Sequence, residues 1–589
     1  MTRQSTANVH ELVKDGFRLH REGDLVGAQS CLEAALRIEP EYPEALHMLG
    51  LVLHQQGAHL EASRHIARAV ELVPGHPVLL NNLGDVLRSA GRPRLAVGHL
   101  LEAVRLRPGY AGALLNLAAA YNDLKDYDLG LHYARLAIEH APQMAEAYFN
   151  LGLALLARVD LPGAIDAFRS ALRLRPDHTI ARSNLLYLLN LLPGAEPEQV
   201  AAEHRALMKP LDDLANPPSA DALAGKQRRL RLGYVSRDFC AHAVNFFFEP
   251  VLSHHDDSRY EIYCYFDGEK VDQVTQRLQQ AAHFWRSTSG WSNQALEDQI
   301  RLDGVDVLVD LAGHTEKNRL EVFARKPAPL QVTWLGYANT TGLTAMDYRI
   351  VDRVTAPEGE PFPGTEAALR LPGPFACFRA PAFAPGISPL PALANGHVTF
   401  GSLHKLEKIN PQVISLWSRL LQANPDSRLL IARDQLDEWQ QQRISREFAA
   451  HGVEPMQLQL RELNVPGQSF LEVFAGIDIL LDVAPWSGHT LACCALWMGV
   501  PVVSWSGNSH ASRMVASVLG VAGLEGLVAR TEEKYLEIAT NLAADKQALA
   551  RLRAGLRGRV SATALCDEAG YTRQFEAAIE QAWENLCVH

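Results

Sequence analysis

No Cys-x-x-Cys pair occurs in this chain: its eight cysteines stand at positions 31, 240, 264, 377, 493, 494, 566 and 587. Such a scatter argues against a structural zinc site and suits free thiols in a reducing cytoplasm. Long apolar runs are missing too. The longest, Leu491–Trp505, is shorter than the ~20 residues of a spanning helix and contains Gly499 and Pro501, so it reads as buried helix, turn and strand and no membrane partner is expected. No excess of positive charge is present: the net charge is −11, which argues against a mainly electrostatic nucleic-acid binder. The opening residues Met1–Asn8 carry no apolar leader and run into a helical repeat, so a cytoplasmic location is expected. What remains is an ordinary soluble composition, 47% hydrophobic and 21% charged, over 589 residues, enough for several domains.

What is present begins with a period of 34. Gly16, Gly50, Gly84, Ala118 and Gly152 keep that step, as do Ala35, Ala69, Ala103, Ala137 and Ala171, and Pro40, Pro74, Pro108, Pro142 and Pro176. Small residues inside two helices with a proline after the second are the tetratricopeptide signature. The small residues let paired helices approach, and the proline stops the second helix where the chain turns. Residues 1–193 therefore read as an α-solenoid of five repeats with a capping helix at Thr179–Leu192.

After a linker at 194–228 the pattern changes to short apolar runs alternating with helical stretches. Runs at Arg229–Ser236, Glu261–Phe266, Val305–Leu311, Leu330–Leu335 and Tyr348–Asp352 predict a first parallel, doubly wound α/β lobe, residues 229–380. Residues 361–396 carry eight prolines and mark its end. Runs at His397–Leu403, Arg428–Arg433, Met456–Leu460, Ile477–Val483 and Pro501–Trp505 predict a second lobe, residues 381–589, with a terminal helix near Tyr571–Leu586 that packs back across the lobes. Two such lobes make a cleft, with ligands at the carboxyl ends of the strands.

Seven segments stand out: Arg229-Leu-Arg-Leu-Gly-Tyr-Val-Ser-Arg-Asp-Phe239 with His242 behind it, Arg325-Lys-Pro-Ala-Pro-Leu-Gln-Val-Thr-Trp-Leu-Gly-Tyr337, Met346-Asp-Tyr348, Lys408-Ile-Asn-Pro411, Ser487-Gly-His-Thr490, Ala495-Leu-Trp-Met-Gly-Val-Pro501 and Ala511-Ser-Arg513. Together they resemble the O-linked N-acetylglucosamine transferase family. The resemblance covers nearly the whole chain and points to a compact bacterial member. It implies the GT-B fold, two Rossmann-like lobes behind the solenoid, and an inverting transfer of sugar from a nucleotide-sugar to Ser/Thr of a protein.

Candidate residues follow. Gly488, His489 and Thr490 lie between a strand and an apolar helix, where a helix N-terminus suits a nucleotide diphosphate; the plainer reading is that Thr490 caps the helix and His489 is solvated. Lys408 could neutralise charge on the departing diphosphate, and by resemblance it is the leaving-group lysine; a solvated surface lysine is the alternative. Lys405 would add a second positive charge. His242, in a cleft loop, can orient or deprotonate an acceptor hydroxyl, the role the resemblance places there. Asp303 and His314 are further candidates for proton handling, although Asp303 also reads as a turn residue. No Asp-x-Asp occurs in residues 226–589, whereas a divalent ion on a diphosphate needs such carboxylates, so neither metal nor cofactor is expected. In the solenoid, Asn82, Asn116, Asn150 and Asn184 keep the period of 34. Their amides suit clamping an extended acceptor backbone, or equally an inter-repeat hydrogen bond. Met48 breaks the series.

Against the resemblance, Cys494 stands where the family has an acidic residue that accepts from ribose hydroxyls, and a thiol is a weak acceptor. Phe470 and Val473 replace a base-contacting histidine and a basic residue, and Gly467 a lysine; Phe470 keeps a ring that can stack on a base. The donor reads as UDP-N-acetylglucosamine by default. GDP-fucose, as in Spindly-type relatives, and a CMP-linked nonulosonic acid passed to flagellin stay open, as does a scaffold that has lost donor binding.

Overall fold

The computed structural model describes residues 3–218, 228–434, 436–463 and 469–588. The chain divides into two units, Met1–Leu185 and Leu186–His589.

The first unit is a stack of helix pairs: α1 (Arg3–Glu22) with α2 (Leu25–Ile38), α3 (Pro43–Gln55) with α4 (His59–Leu72), α5 (Pro77–Ser89) with α6 (Pro93–Leu106), α7 (Ala111–Asp123) with α8 (Tyr127–His140), and α9 (Ala145–Ala157) with α10 (Leu161–Leu174). The small residue of each first helix is a packing device. A Cβ on Gly50, Gly84 or Gly152 would fall 2.3, 2.4 or 2.6 Å from Ile66, Leu100 or Phe168, one position of the second helix repeated every 34 residues. In the fourth repeat, where Ala118 replaces glycine, that position is Ala134, so volume moves from one helix to the other. The turn inside each pair repeats as well. Gly23, Gly57 and Gly91 are left-handed (φ 84°, 84° and 73°), and Lys125 and Val159 take the same conformation (φ 62° and 58°) in the last two repeats. A β-branched residue there is strained.

The second unit starts within α11 (Thr179–Leu189), followed by α12 (Pro197–Met208) and a 3-10 turn at Lys209–Leu214. The expected linker thus includes a helix, and its residues 219–227 lie outside the described ones. The first lobe has seven parallel strands: β1 (Leu230–Ser236), β2 (Tyr260–Phe266), β3 (Phe284–Ser287), β4 (Val307–Asp310), β5 (Leu330–Thr333), β6 (Tyr348–Asp352) and β7 (Ala367–Leu371), in the order β3-β2-β1-β4-β5-β6-β7. Its helices include α13 (Asn245–Leu252), α14 (Gln273–Ala281), α15 (Asn293–Asp303) and the single-turn α16 (Leu320–Ala324).

After α17 (Pro391–Asn395), the second lobe has six parallel strands: β8 (Thr399–Ser402), β9 (Arg428–Arg433), β10 (Leu458–Glu462), β11 (Ile479–Leu481), β12 (Val502–Trp505) and β13 (Val528–Ala529), in the order β10-β9-β8-β11-β12-β13. Its helices are α18 (Pro411–Ala423), α19 (Glu438–Ala450), α20 (His489–Trp497), α21 (His510–Val521), α22 (Glu532–Ala544) and α23 (Lys546–Ser561). In both sheets the strand order reverses beside the first strand, which puts the ligand crevice at the carboxyl ends of β1 and β4 and of β8 and β11.

The terminal helix α24 (Glu568–Val588) belongs to the first lobe, not the second. Tyr571, Phe575, Ile579 and Ala582 are part of the core formed by β1, β2 and β4. Glu576 accepts from buried His255 (2.8 Å), and Glu568 pairs with Arg379. The sequence boundary at residue 380 therefore follows chain order, while packing returns the 21 residues of α24 to the first lobe. Among the described residues no helix is long and apolar enough to cross a membrane.

Candidate functional site

Two loops of the second lobe meet at the carboxyl ends of its central strands. One leaves β8 through His404 and a 3-10 turn, Leu406–Lys408, before α18. The other leaves β11 through Asp482 to Gly488 and α20. Asn410 joins them: its Oδ1 accepts from Val413 N–H at the start of α18 (3.0 Å) and its Nδ2 donates to Ala484 O (2.7 Å). Ser487 is fixed from below, its N–H and hydroxyl both donating to Ala511 O (3.1 and 2.7 Å).

Gly488 is the N-cap of α20 and brings no side chain to its first turn. Thr490 is the second helical residue, so the expectation that it caps the helix does not hold. The first-turn N–H groups and the positive end of the helix are left for an anion. Only glycine fits here: a Cβ would lie 2.2 Å from His404 Nε2. Gly488 N–H donates to buried Asp482 Oδ1 (2.8 Å), Ser504 Oγ donates to Oδ2 (2.6 Å), and His404 Nε2 stands 3.3 Å from Oδ1.

Lys408 Nζ sits 3.5 Å from Ser487 O and 4.6 Å above the ring of Trp486. It forms no ion pair with a carboxylate among the described residues. Burial pushes its pKa down to about 8, aided by Lys405 and Arg433 and opposed by Asp482 and Glu407. This is not a solvated surface lysine. Lys405 is different: half-exposed, it turns to the Tyr187 hydroxyl (3.3 Å) and Glu407 (3.7 Å).

His489 is half-buried between two first-lobe rings, Phe247 on α13 and Phe375, each with its centroid 4.7 Å away. Burial among them pushes its pKa down to about 3, so the ring is neutral and offers one N–H donor. Phe375 is itself locked: its N–H donates to Asp352 Oδ2 (2.8 Å), and its carbonyl accepts from Trp334 Nε1 (2.9 Å) and the Tyr571 hydroxyl (2.7 Å). This wall and Trp486 carried no sequence signal, because Phe375 lies in the proline-rich stretch and Trp486 in an irregular loop.

His242 stands on the loop before α13, the helix that carries Phe247. It is half-exposed, 3.8 Å from Asp238 Oδ2, and its Nδ1 accepts from Val244 N–H (3.3 Å). Asp303 is not brought to this site. It ends α15, where the chain turns into the amino end of β4, and its carboxylate accepts from Tyr265 (2.9 Å), Arg286 (2.9 Å) and Gln299 (3.0 Å). With its oxygens engaged by three elements, it is structural. His314 is also buried, Nε2 against Thr341 O (2.8 Å) and edge-on to His204 and Tyr337.

On the donor side, Cys494 is buried inside α20, and burial pushes its thiol up to about 12, so it stays neutral. Val473 is buried. Phe470 opens a 3-10 turn (Phe470–Gly476) and is half-buried; Gly467 lies outside the described residues.

In the solenoid, Asn116 Nδ2 donates to Asn81 Oδ1 (3.0 Å), Asn81 Nδ2 to Asn82 Oδ1 (3.0 Å), and Asn82 Nδ2 meets His47 Nε2 (2.8 Å). One hydrogen-bond chain thus crosses three repeats. His47 takes over at the end where Met48 broke the series. Asn150 is buried, its carbonyl accepting from Asn122 (3.0 Å), and Asn184 donates to Ile180 O in its own helix (2.9 Å).

An uncapped helix end, a glycine-tight loop, a neutral histidine and a lysine in no ion pair with a carboxylate among the described residues are groups that suit an anion such as a diphosphate. The pattern of glycosyl transferase family 41 matches residues 186–361 and 390–575, and tetratricopeptide patterns match 41–108, 81–144 and 126–179. The chain is 37% identical over 422 residues to a tomato protein named probable UDP-N-acetylglucosamine–peptide N-acetylglucosaminyltransferase SPINDLY, covering 71% of this chain and 45% of that one. A Caenorhabditis elegans UDP-N-acetylglucosamine–peptide N-acetylglucosaminyltransferase is 24% identical over 477 residues, covering 61% and 41%. The chain spans under half the length of these curated relatives. A solved mutant of the Thermobaculum terrenum O-GlcNAc transferase superposes with a TM-score of 0.73 at 32% identity, covering 100% of this chain and 99% of that one. The chain belongs to glycosyl transferase family 41.

Proposed function

We propose that the chain transfers a sugar from a nucleotide-sugar donor to Ser/Thr hydroxyls of a protein, in the cytoplasm, by one inverting displacement and with no metal on the diphosphate. The observation that carries this is the pairing of Lys408, in no ion pair with a carboxylate among the described residues, with the uncapped N terminus of α20. In the displacement the acceptor oxygen bonds to the anomeric carbon while the carbon–phosphate-oxygen bond breaks on the opposite face. The nucleoside diphosphate leaves with the electron pair, its new charge facing Lys408 and the first-turn N–H groups of α20. The hydroxyl proton goes to His242 or to water; His242 is half-exposed and stands near a carboxylate, Asp238. Substrate protein held along the solenoid completes the reading.

UDP-N-acetylglucosamine is the default donor, since the relatives' names carry it. A donor with a different nucleotide is favoured by one observation, the neutral buried thiol of Cys494 where a carboxylate would take ribose hydroxyls. Release of nucleotide from UDP-N-acetylglucosamine, GDP-fucose and a CMP-nonulosonic acid, each with excess chelator, tests both readings. Turnover of one donor supports a transferase and identifies it; Cys494→Asp should then shift preference towards UDP. No turnover and no binding of any donor would contradict the reading and favour a scaffold.

A further inference from the structure

We propose that Trp486 is the positioning residue of Lys408, holding the ammonium by its aromatic face instead of by a carboxylate, so that the lysine's donors stay available to the departing diphosphate; this rests on the transferase reading above. A lysine that must meet new negative charge faces a conflict. Left unsupported, a four-carbon stem samples many rotamers, and bound to a carboxylate it is neutralised before the phosphate arrives. A π-face resolves this, because it attracts the cation without consuming an N–H.

The geometry fits that device. Lys408 Nζ lies 4.6 Å from the centre of the Trp486 ring, and its one hydrogen-bond contact among the described residues, Ser487 O at 3.5 Å, is at the outer limit of a hydrogen bond. The neighbouring charges are otherwise occupied. Asp482 accepts from Gly488 and Ser504 and lies beside His404, while Glu407 on Lys408's own turn is 3.7 Å from Lys405. Arg433, ending β9, donates to Leu403 O (3.5 Å). Trp486 is itself held. It is 8% exposed and packs on Tyr187 (centroids 5.0 Å) and edge-on to Tyr337 (5.9 Å), and the next residue is pinned to Ala511. Burial is the largest cause of the lowered Lys408 pKa, and it outweighs the attraction of Asp482 and Glu407.

The test reads the lysine directly. The full chain is reductively methylated with ¹³C-formaldehyde, the Lys408 signal is assigned by its loss in Lys408→Arg, and its shift and titration are followed in wild type, Trp486→Phe and Trp486→Leu. Affinity for UDP and for inorganic pyrophosphate is measured alongside. In wild type the Lys408 methyls should be displaced upfield by the indole ring current. Trp486→Phe should keep part of that displacement and bind pyrophosphate within about threefold of wild type. Trp486→Leu should abolish it and weaken binding about tenfold. A wild-type Lys408 signal at the exposed-lysine position overturns the proposal, as does a Trp486→Leu protein that loses the displacement but keeps full affinity. Melting curves check that the variants fold, and Trp486→Phe keeps the test decisive if Trp486→Leu does not. Ring-current shifts as expected in a wild type that binds neither pyrophosphate nor any nucleotide would overturn the transferase reading instead, leaving the Trp486–Lys408 packing in place.

Discussion

The asparagine chain of the solenoid and the N terminus of α20 are both rows of polar groups that the sequence marks for ligand binding, and the structure treats them oppositely. The amides of Asn116, Asn81 and Asn82 and the His47 ring are spent on one another. At α20 the cap is a glycine, the nearest lysine has no carboxylate, and the histidine is neutral. Satisfied polar groups stabilise, because leaving one unpaired in the interior costs about 1–3 kcal/mol. Unsatisfied groups at a cleft are held ready for a charge that arrives later. The sequence pattern alone does not separate the two cases, since both consist of donors at regular positions.

Breaking the poised end should have the largest effect. Lys408→Ala should cut donor turnover by about 10²–10³-fold with little change in melting temperature; unchanged turnover would remove Lys408 from the mechanism. Next comes Gly488→Ala, which places a methyl 2.2 Å from His404 Nε2 and should displace the loop and weaken nucleotide binding at least about tenfold. Adding His404→Ala makes room and should restore part of that binding. A double variant no better than the single would mean that the glycine serves another purpose.

The charge on Lys408 predicts a pH dependence whose sign is fixed. With a pKa lowered to about 8, the free enzyme's lysine is charged below that pH and loses its proton above it. Nucleotide diphosphate binding should therefore weaken as pH rises through about 8, up to about tenfold per unit beyond it. Lys408→Arg stays charged, so its binding should be flat over the same range. A wild-type profile that is flat between pH 7 and 9 would contradict the assignment.

The satisfied row sharpens the comparison from the other side. Asn81→Ala and Asn116→Ala should each destabilise the solenoid by about 1 kcal/mol, and together by less than the sum, since they share one bond. If instead both leave melting unchanged and lower only transfer to protein, the row is an acceptor clamp after all. The smallest effect expected is at Val159, a β-branched residue in the left-handed turn position that three other repeats give to glycine. Val159→Gly should raise solenoid stability by about 0.5 kcal/mol, the relieved strain being partly offset by glycine's chain entropy, read as a melting shift.

Much of this molecule was legible in the sequence where a physical period or a buried run marks it. The repeats marked the solenoid, including Ala118 in place of glycine, although its partner Ala134 shows only in the packing, and ten of the strands lie on the apolar runs. The strands that escaped, β3, β7 and β13, are short strands at the sheet edges, and β7 lies inside the proline-rich stretch that marks the end of the first lobe in the sequence. Chain order misplaced α24, because only packing shows Tyr571 and Phe575 in the first lobe's core. At the site, spacing alone left Gly488, His489 and Lys408 open to plainer readings (a capped helix, a solvated histidine, a surface lysine), and the family resemblance is what singled them out. Asp303 misled because its partners Tyr265, Arg286 and Gln299 come from β2, β3 and α15, and no local pattern announces a buried ion pair. Trp486 and Phe375 escaped for the complementary reason: their value lies in what they face.

The most direct test of the central claim is calorimetric titration of the purified full chain with UDP, GDP and CMP in excess chelator, in wild type and Lys408→Ala. The account predicts that one nucleotide binds wild type without metal and binds Lys408→Ala much more weakly. Equal affinity in the two proteins, or binding that appears only when a divalent ion is added, would contradict it.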